Sequence, residues 1–304
     1  VESTADELCQ KLGMDPIEFR LINASKEGTR RIEGRVFRRV GLVECLEAAR
    51  NHDHYKTPLT GKNRGRGVAC GFWHNRGFIS SANVTVNPDG SVGVATGSVD
   101  LSGTRVTIAQ QTAEVLGIDY EDVRPSVVDT DSIAYTFVTG GSRTTFATGW
   151  AAIHAAEEVK QQMVERAARI WEASAEDVEY VDGVIRHKSD SELRFTFREL
   201  ARRLLSTGGA ITGKCNIDPS GEGNAFSVHL VDVEVDPETG KTNILRYTAI
   251  QDAGKAVHPS YVEGQMQGGA AQGIGWALNE EYFFNDQGQM MNPSFLDYRM
   301  PTIL

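Results

Sequence analysis

No stretch of the 304-residue chain approaches the roughly 20 consecutive apolar residues of a membrane-spanning helix, and no signal peptide is visible. The four cysteines, Cys9, Cys45, Cys70 and Cys215, stand far apart, with no Cys-x-x-Cys pair. That spacing excludes a cysteine-built zinc or iron–sulfur site and suits free thiols in a reducing, cytoplasmic compartment. The seven histidines are equally scattered. His52 and His54 could share a metal if they lay on one strand, but a solvated polar stretch is the weightier reading. No metal held by the chain's own side chains is expected. Basic residues are also in deficit: 31 Lys plus Arg face 41 Asp plus Glu, a net charge of −10. This balance argues against nucleic-acid or anionic-membrane binding and leaves room for a local anion site. Finally, no glycine-rich segment continues into Gly-Lys-Ser/Thr, so a phosphate loop of the nucleotide-hydrolase kind is absent.

What the chain does carry is a segment of glycines and glutamines among small residues, Gly264-Gln265-Met266-Gln267-Gly268-Gly269-Ala270-Ala271-Gln272-Gly273-Ile274-Gly275, beside an expected helix start. A second polar, glycine-rich loop, Thr139-Gly140-Gly141-Ser142-Arg143-Thr144-Thr145, precedes another helical pattern. Glycine permits close backbone approach, and the free N–H groups of a helix start favour anionic or carbonyl-rich groups. Two such loops suggest one elongated polar ligand held from two sides.

The organisation along the chain is regular. Residues 1–23 read as helix, interrupted at Asp15-Pro16, and 24–40 as charged and irregular. Gly41 to Ala49 reads as a short amphipathic helix, and 51–66 as a linker. Hairpins are expected around Pro88-Asp89-Gly90, Asp182-Gly183, Pro237-Glu238-Thr239-Gly240 and Asp286-Gln287-Gly288. Helices are expected over 104–116, 147–171, 197–205 and 260–279, and a strand over 123–128. Hairpins recurring before helices predict an α+β fold: mixed or antiparallel sheets, helices packed on one face, and two lobes. The divisions are a helical lead-in over 1–60, a first lobe over 61–222 and a second over 223–304.

Several short motifs in order carry a family resemblance. Ala5-Asp6-Glu7-Leu8, Leu12-Gly13-Met14-Asp15-Pro16 and Arg20-Leu21-Ile22-Asn23 open the series. Val233-Glu234-Val235-Asp236 with Glu238-Thr239-Gly240, Asp252-Ala253-Gly254, His258-Pro259, Gly264-Gln265 and Asp297-Tyr298-Arg299-Met300-Pro301 continue it. The chain resembles the molybdenum-cofactor-binding region of the xanthine dehydrogenase and aldehyde oxidase family of molybdenum hydroxylases. The resemblance implies an oxidoreductase that hydroxylates an aldehyde or N-heteroaromatic substrate with oxygen from water. It further implies a molybdenum-pyranopterin whose metal needs no protein ligand, and iron–sulfur and FAD partners on other domains or subunits. The family's catalytic glutamate lies in a "G-x-G-E" motif past the Asp-Tyr-x-x-Pro stretch, so no catalytic residue is assigned within 1–304, and the segment is expected to be an inactive piece of a larger subunit. Glu280 and Glu281 are not promoted to that role.

Residue by residue, the resemblance assigns Gln265, from "G-Q-x-x-G", to the cofactor. It assigns Gly141, Ser142, Arg143 and Thr144 to a loop meeting the pyranopterin phosphate, where Arg143 could add charge. Ser102, Gly103 and Thr104 match a third loop that usually reads "G-Q-G"; Gly103 replaces the glutamine. Phe72 and Trp73, in an aromatic cluster with His74 and Phe78, fall near the substrate channel, with a core role an equal alternative. Other plain readings stand beside these: Arg143 as a surface ion pair, Thr107 and Gln110 as structural, Asp129-Thr130-Asp131 as a turn and cap, and Asp252 as a loop anchor. The rival to the enzyme reading is a binding or assembly module that kept the fold and lost the cofactor.

Overall fold

A computed structural model describes residues 1–129, 131–220 and 222–302. The chain opens with α1 (Glu2–Leu12), α2 (Pro16–Asn23), α3 (Leu42–Asn51) and the single turn α4 (Asp53–Lys56). Strands β1 (Arg64–Arg76), β2 (Ser80–Val86) and β3 (Val92–Thr96) precede α5 (Thr104–Leu116), β4 (Val123–Val127) and the long α6 (Thr144–Ile170). Next come β5 (Val178–Val181), β6 (Val184–His187), β7 (Arg194–Thr196), α7 (Phe197–Ala201) and α8 (Leu204–Thr207). Then follow β8 (Ile211–Ile217), β9 (Glu222–Val235), β10 (Thr242–Asp252) and α9 (Pro259–Leu278). Two compact units result: Val1–Trp73 with Asn224–Leu304, and His74–Gly223.

In the first unit, Gly13 ends α1 in the left-handed region (φ 62°). Asp15 then starts α2 by accepting hydrogen bonds from the Ile17 and Glu18 N–H groups, each 2.9 Å. Helix α2 buries Ile17 and Arg20. The Arg20 guanidinium pairs with Glu2 at 3.0 Å and donates to the Val68 carbonyl of β1 at 2.7 Å, so both lead-in helices are tied to the sheet. That sheet runs β1-β9-β10. Its core joins Ile17, Phe37, Leu42, Leu46, Val68, Phe226, Val228 and Leu230. Strand β1 falls partly where a linker was expected, because Pro58, Gly61 and Gly65 read as chain breakers. At Gly71 the missing side chain has another use: a Cβ there would overlap the Ser227 hydroxyl on β9.

The second unit is a four-stranded mixed sheet, β4-β3-β2-β8, beside a small antiparallel sheet, β5-β6-β7. Strands β2 and β3 pair antiparallel with Ala82, Val84 and Val86 opposite Thr96, Val94 and Val92. Alternation therefore puts all of these on one buried face. Helices α5 and α6 supply the other half of that core through Ile108, Ala109, Ala113, Leu116, Ala151, Ala152, Ala155, Ala156, Val159 and Met163. Helix α6 presents mostly alanine at helical spacing, and this thin stripe lets its backbone settle close to the sheet. At Gly213 of β8 a Cβ would overlap the Ala155 carbonyl oxygen. The fold is thus α+β with mixed sheets. Helix α6 begins a turn earlier than the sequence suggested, and the helix expected over 197–205 breaks into α7 and α8.

Candidate functional site

Strands β3 and β4 run parallel, Val92 opposite Val123 and Thr96 opposite Val127. Their C-terminal ends lie at the same edge of the sheet, together with the start of β2, since Ala82 pairs with Thr96. The segments leading into α5 and α6 both leave from this edge. Each enters its helix through two consecutive left-handed residues: Ser102 (φ 55°) and Gly103 (φ 76°) before α5, Gly141 (φ 71°) and Ser142 (φ 60°) before α6. A left-handed residue followed by a right-handed helical one turns successive N–H groups toward a common point, a concavity suited to an oxyanion. The helix N-terminus adds partial positive charge.

The two starts differ in what already fills them. At α5, Asp100 accepts the Arg105 backbone N–H at 3.1 Å and the Thr104 hydroxyl at 3.3 Å, and pairs with the Arg105 guanidinium at 2.8 Å. Burial pushes the Asp100 carboxyl up, yet the bonds from Arg105 outweigh it and hold it below the usual carboxylate range. Ser102, Gly103 and Thr104 therefore surround a helix start that already has its carboxylate. At α6 the N-cap residue Arg143 makes no capping side-chain hydrogen bond. Thr144 is 4 % exposed, and its hydroxyl is buried without a hydrogen-bond partner among the described residues. An orphaned hydroxyl at a helix start fits a bound group rich in acceptor oxygens, as a pyranopterin phosphate is.

Arg143 is neither a surface ion pair nor a free charge for such a group. It is 1 % exposed. Its guanidinium donates to the carbonyls of Gly77 (2.7 Å), Phe137 (3.0 Å), Phe78 (3.0 Å) and Ile79 (3.1 Å) and to the Ser80 hydroxyl. Ser80 Oγ lies 3.3 Å from Thr148 Oγ1, which lies 2.7 Å from Ser98 Oγ. Sequence reading missed this buried hydroxyl chain, since its members are distant in sequence and carry no local signature.

The remaining assigned residues belong to the other unit. The glycine-rich segment 264–275 is not a loop at a helix start but the body of α9, which begins at Pro259. The helix expected over 260–279 is present, and only the parallel reading of 264–275 as a loop fails; here a Cβ on Gly264, Gly268, Gly269 or Gly273 would meet no neighbour among the described residues. Gln265 is exposed on this helix. Phe72 and Trp73 lie on β1, 44 % and 55 % exposed. The Phe72 ring also packs on Phe226, with centroids 4.9 Å apart, whereas Phe78 stacks on Phe137 at 4.6 Å in the second unit. The aromatic cluster of the sequence is thus divided between the two units.

His52 and His54 do not share a strand: His52 precedes α4 and His54 is buried within it, 2.8 Å from Thr248 Oγ1 and 3.2 Å from Asp232 Oδ2. The Nε2 approach to Asp232 is an electrostatic contact and not a well-aligned hydrogen bond. Asp129 forms the expected turn, accepting from the Asp131 and Ser132 N–H groups at 3.0 and 2.9 Å; Thr130 lies outside the described residues. Asp252 anchors its loop by accepting from the Gly254 N–H at 3.0 Å. Among the described residues no group of three or more His, Cys, Asp or Glu could hold a metal ion. Among the described residues no helix is long and apolar enough to cross a membrane.

Comparison with known proteins gives this geometry its context. The xanthine dehydrogenase molybdenum-binding subunit of Escherichia coli is 32 % identical across 100 % of this chain, which spans 43 % of that subunit. The nicotine 6-hydroxylase large subunit of Paenarthrobacter nicotinovorans is 28 % identical over 99 % of the chain and 41 % of its own length. Among solved structures, quinoline 2-oxidoreductase from Pseudomonas putida superposes with a TM-score of 0.84 at 25 % identity, covering 100 % of this chain and 43 % of that one. A copper- and molybdenum-containing CO dehydrogenase shares the fold, with a TM-score of 0.86 over 99 % of this chain and 42 % of its own. The chain spans less than half the length of these relatives. Residues 43–304 match the family model of the molybdopterin cofactor-binding domain, and the chain belongs to that family.

Proposed function

We propose that this chain is the molybdopterin-binding part of the large subunit of a molybdenum hydroxylase. Its substrate would be an aldehyde or an N-heteroaromatic compound, oxidised with oxygen from water. The observation that carries the reading is the start of α6: Gly141 and Ser142 in left-handed backbone, and the buried Thr144 hydroxyl without a partner among the described residues.

When bound, the cofactor supplies the two-electron redox chemistry at the substrate carbon. The chain's own part is to bind and orient. The first-turn N–H groups of α6 and the Thr144 hydroxyl donate to phosphate oxygens, and the helix dipole favours their charge. Gln265 supplies an amide that both donates and accepts. The exposed faces of Phe72 and Trp73 suit a planar substrate. Electrons would leave through iron–sulfur and FAD partners; the names of the relatives, a complex subunit and a large chain, support assembly with further subunits of some kind. Residues 1–304 alone would not complete the reaction, a reading supported by a match to well under half of each relative.

A second reading, a binding module that has lost the cofactor, draws on Gly103 and on Asp100, which fills the α5 start. Metal and pterin analysis of the full-length subunit, expressed with its partners under molybdate, separates the two. About one molybdenum per subunit is the outcome expected for the family's enzymes. A folded full-length subunit without metal, from a host with proven cofactor supply, would leave only the second reading.

A further inference from the structure

Resting on the cofactor-binding reading above, we propose that Arg143 is the positioning residue of the α6 start: its guanidinium fixes the Gly141–Ser142 turn for an anionic group without touching that group. Every polar contact of this side chain is to an uncharged oxygen, four of them main-chain carbonyls. No carboxylate pairs with it among the described residues; Asp218 acts on it only at a distance. A buried cation without a counter-ion is costly. Its retention needs a reason other than packing.

The geometry supplies one. Three of the carbonyls come from 77–79, ahead of β2, and the fourth from Phe137, ahead of the glycine turn. The planar fork of a guanidinium reaches all four at once, which a lysine ammonium cannot do. Its partner Ser80 continues to Thr148 in the second turn of α6 and on to Ser98, so the edge of the sheet, the loop after β3 and the helix are joined through one side chain. Phe78 (φ 62°) and Ser142 (φ 60°) both hold left-handed backbone without being glycine, the kind of conformation that persists only where its surroundings over-determine it. The fork anchors the segments containing both. Burial pushes the Arg143 pKa down, but a guanidinium stays charged, so its field, acting at a distance, also favours a negative group at the helix start beside it.

The test uses the full-length subunit with its partners, as wild type, R143K, R143M and the core variant Ile185→Val. Ile185 is fully buried in the same unit and has no part in the loop. Two quantities are read: the rate of molybdenum and pterin loss on dilution, and hydrogen exchange of peptides covering 77–80 and 137–146. For R143K and R143M the cofactor should be lost roughly tenfold to a hundredfold faster, the range typical of residues that orient a ligating group. Exchange should rise in those two segments while β5–β7 keep their protection. R143K stands for the pair if R143M does not fold. Wild-type cofactor retention and exchange in R143K would overturn the proposal, as would an equal cofactor loss in Ile185→Val. A wild type that carries no cofactor, with R143K still loosening both segments, would sink the cofactor reading and with it the role in binding, leaving a purely structural clamp.

Discussion

Asp232→Asn is the perturbation whose cost the first unit makes most accessible. Asp232 lies on β9, 5 % exposed, and receives two hydrogen bonds from Arg66, at 2.6 and 2.8 Å. His54 Nε2 stands 3.2 Å away. The Arg66 bonds hold the Asp232 carboxyl below the usual range against an opposing push from burial. Asparagine keeps the shape and deletes the charge, leaving Arg66 without its ion-pair partner. Removing one member of a buried pair costs about 3–5 kcal/mol. Two features reduce that here: the Arg66 side chain is 17 % exposed, and it keeps the carbonyls of Tyr55 and Thr57 at 2.8 and 3.1 Å. The expected loss is therefore about 2–3 kcal/mol. Denaturant unfolding followed by tryptophan fluorescence gives the global value. Hydrogen exchange of β9 and β10 peptides gives the local one, a rise of roughly 30- to 150-fold. The same substitution in an Arg66→Met background should cost much less, because the charge it strands is gone. A loss under about 0.5 kcal/mol, the size of an ordinary surface change, or an equal loss in both backgrounds would refute the reasoning.

Three further outcomes are expected. Burial lowers the His54 pKa and outweighs the opposing pull of Asp232, so the ring is neutral in the fold. A depressed histidine contributes stability above its unfolded pKa of about 6.5, lost as pH falls from there through the folded value; His54→Gln should flatten the pH dependence of the unfolding midpoint between about 5 and 7, and coincident profiles would refute it. Thr148→Val removes the 2.7 Å partner of the buried Ser98 hydroxyl and should cost about 1–3 kcal/mol in denaturant titration. Gly213→Ala forces a methyl into the Ala155 carbonyl and should cost about 3 kcal/mol or more, seen as loss of soluble protein or a lowered Tm; a neutral result would mean that α6 does not lie so close to β8.

The sequence made local regularities legible. The turn signal Pro88-Asp89-Gly90 between 81–87 and 91–96 identified a hairpin that the structure contains, and the helix over 104–116 has the expected ends. Glycine was the main source of error, because it serves opposite ends. In β1 it allows close approach between strands, in α9 it lies inside a helix, and at the turn glycines Gly90, Gly183, Gly240 and Gly288, as at 103 and 141, it takes left-handed backbone. Arg143 was visible as a residue of the loop, but its role was not. The carbonyls it binds at 77–79 are some 64–66 positions away, and nothing in a one-dimensional pattern marks a carbonyl as an acceptor in wait. The Asp100 cap at α5 was within four or five residues of its partners, and a closer weighing of the carboxylate before Ser102-Gly103-Thr104 would have found it.

The pairing of β1 with β9 has a consequence for the making of the protein. Nearly everything from His74 to Gly223 must leave the ribosome before β9 does, so the second unit has almost its full sequence while the first still lacks two of the three strands of its sheet. During that interval Phe37, Leu42, Leu46 and Val68 have been translated but Phe226, Val228 and Leu230, which complete their core, have not. At about 5–20 residues per second the wait lasts on the order of ten seconds or more. The lead-in helices are thus nascent-chain segments with an apolar side awaiting cover, a natural binding substrate for a chaperone at the tunnel exit.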